Sequence, residues 1–442
     1  MRQTLAGVPD GLAALVLARL TQEEGAGSPP LLLHVARDDR RLEALADGLR
    51  FFAPGVRLIQ LPAWDTVPYD RIGPNAEIVA MRVAAMARLS AAPRKGSTVV
   101  LTTVNASLQR LPPRDFIRRS LKIIAPGQRI DMNRLTQRLN LAGYQRTGTV
   151  MEPGEYAVRG GILDLFPPGR SAPVRLDFFG DTLEHIKAFD VETQRTGKIV
   201  QRLTLMPVSE VAFGEAAEKR FRAGYVEAFG PATSQDALYE AVSAGQRYPG
   251  MEHWLPLFHD RLETLFDYMG NAPVSLDHLA EEAVVERLAL IADHYEARMK
   301  GLEALAFGAP PYKPVPAAAM FLTKSEWEER QVGRIVRHMT PFEETAAAPD
   351  GSLRSFGGRV GRTFALERSG EGGNVFDAAA KHVRALQVEG KRAIVAAVAY
   401  TKSRRHLVRA PSGWRSPSAT DVWQPRRAAL GVTHFTRSHT SV

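Results

Sequence analysis

The sequence predicts an α/β protein, in which a parallel-sheet domain is interrupted by a small α+β insertion and followed by a helical half and the start of a further α/β domain. Three observations carry this reading. Short apolar runs at Leu31–Val35, Val56–Leu61 and Thr98–Thr103 are separated by helical patterns at Asp39–Phe52 and Glu77–Leu89. Strands alternating with helices imply crossover connections and a parallel sheet. Apolar residues then alternate along Gly161–Phe166, Val174–Phe179 and Leu183–Phe189, with the turn sequences Pro167-Pro168-Gly169-Arg170 and Gly180-Asp181 between them. That is the pattern of an antiparallel meander. Residues 211–355, finally, are mostly of helical period.

Taken in order, residues 1–115 form the α/β half, opened by an amphipathic helix over Leu12–Leu20 and a breaker at Gly25–Pro30. Residues 116–210 are the insertion, with a helix at Met132–Ala142 ahead of the meander. In the second half, 211–355, the longest helical pattern is Ser275–Leu305. Ser275 serves as its N-cap, Asp277 lies in its first turn, and Leu276, Leu279, Ala283, Leu290 and Ile291 share one stripe. Asp350–Arg362 reads as a linker. A helix at Phe376–Gln387 and a strand at Ala393–Ala399 then begin an α/β domain, 356–402, that does not finish. Residues 403–442 lose all periodicity and carry seven arginines, six serines and a single acid, Asp421. This is either a natural basic tail or a shifted reading frame or cloning scar; the abrupt break in mid-domain favours the second, and no fold is assigned to it.

Composition excludes several classes. With 442 residues and 45% hydrophobic content the chain has room for two to four globular domains. It has no cysteine, which removes disulfides, zinc ribbons and a cysteine nucleophile. No apolar run is long enough to span a bilayer, and Arg19, Glu23 and Glu24 spoil a signal-peptide reading of Leu12–Leu20; a soluble, cytoplasmic protein without a membrane partner is expected. The net charge of +9 invites a nucleic-acid partner, but most of it sits in 403–442, and the rest of the chain is close to neutral.

No reaction chemistry stands out. At the first loop-to-helix junction, Gly7-Val8-Pro9-Asp10-Gly11-Leu12-Ala13, two glycines are present, but Leu12 and Ala13 stand where a phosphate loop needs Lys and Ser/Thr. A helix start is the simpler reading. Arg94-Lys95-Gly96-Ser97 precedes a strand instead of following one, Thr323-Lys324-Ser325 and Thr401-Lys402-Ser403 lack glycines, and Gly357-Gly358-Arg359-Val360-Gly361 fits a flexible segment better than a phosphate cradle. His253 and His259 read as packing residues. Neither a catalytic residue, a cofactor nor a metal is assigned.

The meander is more informative. Period-two spacing puts Val174, Leu176 and Phe178 on one face and Arg175, Asp177 and Phe179 on the other. The second set leaves a phenylalanine beside an arginine on the wet side, the residue types of binding hot spots. The alternative, that a neighbouring domain buries Phe179 while Arg175 pairs with Asp177, stays open on spacing alone. Arg159, placed just before the first meander strand, belongs to the same neighbourhood.

Met151-Glu152-Pro153-Gly154-Glu155-Tyr156-Ala157-Val158-Arg159-Gly160-Gly161-Ile162-Leu163-Asp164-Leu165-Phe166-Pro167 resembles a signature shared by UvrB and the transcription-repair coupling factor (Mfd) family. So do Arg175–Asp181 and Phe189–Thr196, while Leu61–Asp70, Thr103–Pro113, Tyr248–Glu252 and Leu255–Phe258 resemble neighbouring segments. UvrB has a complete phosphate loop and this chain does not, so the resemblance points to the N-terminal, UvrB-like part of the coupling factor. It implies a degenerate P-loop-type domain with the insertion docking on UvrA through Arg159, Arg175 and Phe179. It also implies a chain truncated before the polymerase-binding and motor domains, where RNA polymerase, double-stranded DNA, ATP and Mg would be engaged. On this reading the chain is a recruiting module and not an enzyme, with a UvrA face that the missing motor half would otherwise mask. A UvrB-type ATP-dependent damage-binding protein is the alternative, and DNA binding through the arginine-rich tail a third.

Overall fold

The computed structural model describes residues 1–23, 30–91, 96–233, 235–303, 312–343, 351–358, 361–369 and 373–390. The expected strand at Ala393–Ala399 and the segment 403–442 lie outside them. The strands are β1 (Arg2–Ala6), β2 (Leu31–Ala36), β3 (Arg57–Leu61), β4 (Thr98–Thr103), β5 (Lys122–Ile124), β6 (Gln145–Arg146), β7 (Glu155–Arg159), β8 (Ile162–Leu165), β9 (Val174–Phe179), β10 (Thr182–Phe189), β11 (Thr196–Ile199), β12 (Leu203–Leu205), β13 (Val274–Leu276), β14 (Val336–Met339) and β15 (Leu353–Ser355). They form a seven-stranded sheet, order β15-β1-β14-β13-β2-β4-β3, a six-stranded sheet, order β11-β10-β9-β8-β7-β6, and the pair β12-β5.

The described residues divide into two compact units, Met1–Thr4 with Leu17–Met339, and Leu5–Val16 with those from Thr340 onward. In the first, β3, β4, β2, β13 and β14 run parallel. Strand β4 is buried along its whole length, as a parallel strand covered on both faces must be. Helices Asp39–Phe52 and Ala76–Ser90 cover it, each opened by a side-chain cap from Asp38 or Asn75. The sheet differs from expectation in its middle. Val274-Ser275-Leu276 is a buried strand, not the start of a helix, and Ser275 takes the Nδ1 side of buried His34 at 3.2 Å instead of capping. The helix starts only at Ala280, and Leu279, with φ 63°, is exposed. A three-residue apolar strand running into a helical pattern gives no period of its own, so the second half's share of the sheet is invisible to periodicity.

The insertion is anchored where it returns to the parallel sheet. Glu210 is fully buried and receives Arg82 Nε at 2.5 Å, Arg82 Nη2 at 3.1 Å and Trp64 Nε1 at 3.0 Å. Arg82 also donates to the Pro62 carbonyl at 2.7 Å, and His259 Nε2 meets the Glu210 carbonyl at 2.9 Å. Each buried charge thus has its counter-charge and further hydrogen bonds, the condition for tolerating such a pair. Burial lowers the pKa of both His253 and His259, consistent with neutral packing residues.

The second unit holds the loop between β1 and the helix Ala13–Glu23. The Gly7 and Val8 amides donate to the carbonyls of Phe342 and Thr340, and the Gly358 amide donates to the Gly7 carbonyl at 3.0 Å. A Cβ on Gly358 would lie 2.5 Å from that carbonyl and 2.6 Å from the Leu12 side chain. The expected linker also contains β15, whose neighbour Phe356 donates to the Ala6 carbonyl. The expected helix near Phe376–Gln387 spans Val375–Val388. No helix among the described residues is long and apolar enough to cross a membrane.

Candidate partner-binding site

The antiparallel sheet is larger than the three-strand meander read from the sequence. Strand β7 precedes β8 and pairs with it, so Arg159 ends a strand instead of preceding the first one. Gly160, at φ 59°, makes the hairpin turn, and a Cβ on Gly161 would lie 2.8 Å from the Phe178 carbonyl, which leaves room only for glycine. Helix Met132–Leu141 and the β5–β12 pair cover one face: Leu135, Leu139, Ile124, Leu203 and Leu205 pack with Tyr156, Leu163, Leu165, Val174, Leu176, Leu183 and Ile186. That is the face predicted for Val174 and Leu176, and Phe178 packs half-buried against it.

Register sets the other face. Arg159 pairs with Ile162, Ile162 with Asp177 and Asp177 with His185, while Ala157, Asp164, Arg175 and Lys187 form the adjacent row. Cross-strand neighbours point the same way, so these side chains share one surface. Arg175 does not pair with Asp177. Its Nε and Nη2 donate to the two carboxylate oxygens of Asp164 at 2.7 and 2.9 Å. Its guanidinium also lies 5.2 Å from the Phe189 ring centroid. Asp177 instead accepts from Lys187 Nζ at 3.1 Å. The physical reason is register: Asp164 stands directly opposite Arg175, in the geometry of a bidentate fork. That bond, ahead of the opposing effect of burial, raises the Arg175 pKa above its ordinary value.

Phe179, the last residue of β9, is 78% exposed. Ile162, also exposed, lies in the row next to it. Arg159 is exposed and donates to the Gly148 carbonyl at 2.6 Å and to Thr149 Oγ1 at 3.2 Å. At the other end of this surface Val150, Ala157, Phe166 and Phe189 close into a small buried cluster. The result is an amphipathic patch: an open aromatic, an aliphatic neighbour, and two arginines held in fixed directions, one by a buried carboxylate. Such a patch suits a protein partner that offers an apolar pocket and acids. Sequence reasoning missed Asp164 and Ile162. Their signal was the strand Ile162-Leu163-Asp164-Leu165, in which an acid interrupts an otherwise apolar run.

Residues 123–211, which span this sheet, match the family model of the UvrB interaction domain. Three curated relatives agree with it, all described as transcription-repair-coupling factors. That of Haemophilus influenzae is 37% identical over 217 residues, 49% of this chain and 19% of the relative. That of Escherichia coli is 35% identical over 267 residues, 60% and 23% of the two chains. That of Rickettsia bellii is 31% identical over 268 residues, 61% and 24%. The chain is similar to the transcription-repair coupling factors. The resemblance read from Met151–Pro167 and its neighbours therefore holds. The chain spans about a fifth to a quarter of the length of these coupling factors.

Proposed function

We propose that this chain is the UvrA-recruiting module of a transcription-repair coupling factor acting in nucleotide excision repair, and that the outer face of the antiparallel sheet is its docking surface. The observation that carries this reading is the coincidence of two things in residues 123–211: the UvrB interaction domain match, and an open phenylalanine set beside a carboxylate-braced arginine. Arg159, Arg175 and Phe179 are the contact residues. Arg175 brings a fork already oriented by Asp164, so little side-chain freedom is lost on binding. Affinity of the purified chain for UvrA, measured for wild type, Arg159→Ala and Arg175→Ala, tests this. The Arg175 variant should bind about thirtyfold more weakly, the size of a hot spot; equal affinity for all three proteins would reject the face.

The second reading is a UvrB-type ATP-dependent protein, favoured by the strand–loop–helix order of β1, residues 7–12 and Ala13–Glu23. Against it, the Gly7 and Val8 amides that would face a phosphate already bond to carbonyls, and Leu12 replaces the lysine. The module works without hydrolysing ATP or translocating on its own. ATP turnover by the purified chain would restore the second reading.

A further inference from the structure

Helix Ala76–Ser90 carries two arginines with opposite surroundings. Arg82 is buried and paired with Glu210, and it also donates to the Pro62 carbonyl. Arg88, six residues on, has no ion pair among the described residues. The insertion's turn Pro167–Arg170 lies on the helix face of Ala84 and Arg88: a Cβ on Gly169 would sit 2.7 Å from the Ala84 Cβ and 3.8 Å from Arg88 Nη2. The next residue, Arg170, keeps its Nε buried without a hydrogen-bond partner. Burial lowers the pKa of Arg88, with nearby Arg57 adding to the effect, and burial alone lowers that of Arg170; no carboxylate contributes to either. Arg57 opens the edge strand β3. Arg88 also suits the negative end of its helix, but that does not account for Arg170 or Arg57. Arg57 and Arg88 stay exposed and Arg170 is half-buried, so the strain here is partial burial with like-charge repulsion beside one unpartnered buried Nε, and an anion from outside relieves it.

The surrounding charge says which kind of anion. Residues 110–146 carry nine arginines and lysines against two acids, a concentration hidden by the near-neutral average of the body. Helix Arg114–Ser120 packs on the same helix as Arg88. Arg138 reaches back from the insertion to the Arg119 and Ser120 carbonyls. Arg119, Lys122, Arg129, Arg134 and Arg146 make no ion pair among the described residues. One carboxylate could neutralise the Arg88–Arg170 junction, but only a polyanion matches charge spread over so much chain.

We propose that Arg57, Arg88 and Arg170 form a phosphate-binding junction for a nucleic-acid backbone, at the place where the insertion packs on the parallel-sheet domain. The test is fluorescence anisotropy of a short labelled DNA duplex with the full chain, wild type beside the Arg88→Gln, Arg170→Gln double variant, across a salt series. The basic segment 403–442 is common to both proteins, so the difference reports the junction. Affinity should fall roughly tenfold, and the slope of log affinity against log salt should shrink by about two, the number of contacts removed. Equal affinity and slope overturn the proposal. So does a pattern in which inorganic phosphate raises the Tm of the wild type alone while duplex binding is unchanged, since the junction would then hold a free anion. Should the double variant fold poorly, Arg170→Gln by itself, altered in a turn, should reduce the slope by about one, and an unchanged slope would reject the junction.

Discussion

The two sheets of the first unit treat polar side chains in opposite ways. In the parallel sheet, covered on both faces, polar groups are drawn inward and most are saturated. Arg82 meets Glu210 and Arg41 donates Nε to Asp277 at 3.1 and 3.2 Å, while His34 meets Ser275 through Nδ1 and leaves its buried Nε2 without a partner. The antiparallel sheet packs one face fully and the other only at the end where Val150, Ala157, Phe166 and Phe189 cluster, so the rest of that outer face is open and keeps Phe179 in water. A buried network whose every member is needed for folding has little freedom to be a docking surface. A one-sided sheet can change its wet face at small cost to stability, which makes that face the better place for the proposed recognition surface.

The contrast is broken most severely at the parallel sheet's buried ion pair. Arg82→Ala strands the Glu210 carboxylate without its counter-charge and should destabilise the protein by about 3–5 kcal/mol, read as a fall in denaturant midpoint. A change below about 1 kcal/mol would mean the network is not structural. The next effect is pH dependence. Burial, the leading cause, drives the His34 pKa down to about 4 from 6.5. The folded state therefore resists a proton that the unfolded chain accepts, and stability is lost as pH falls below about 6.5. The cost reaches about 2 kcal/mol at pH 5. Thermal midpoints at pH 7.5 and 5 should differ less in His34→Asn, an uncharged replacement, than in the wild type. A smaller effect separates the faces from within: Asp164→Asn loosens the Arg175 fork and should weaken UvrA binding by about 1 kcal/mol. Unchanged affinity would show that the orientation of Arg175 does not matter.

Legibility followed from periodicity. Thr98–Thr103 was readable because an all-buried, β-branched strand leaves a continuous apolar run. Val174–Phe179 was readable because alternation separates a packed face from a wet one, which also singled out Arg175 and Phe179. Short strands such as Val274–Leu276 leave no such record. Nor does register: period two says which face Arg175 occupies, but not that Asp164, eleven positions away and across the hairpin, is its partner. The approach of Gly169 to Ala84 and Arg88 is a tertiary fact with no local signature at all.

The most direct measurement pairs affinity with stability on one variant. Phe179→Ala should raise the Kd for UvrA about thirtyfold while its Tm stays within a few degrees of wild type, because an exposed ring contributes to the partner's pocket and not to the fold. An unchanged Kd would contradict the assignment of recognition to this face. A large fall in Tm would contradict the division of labour between the two faces of the sheet.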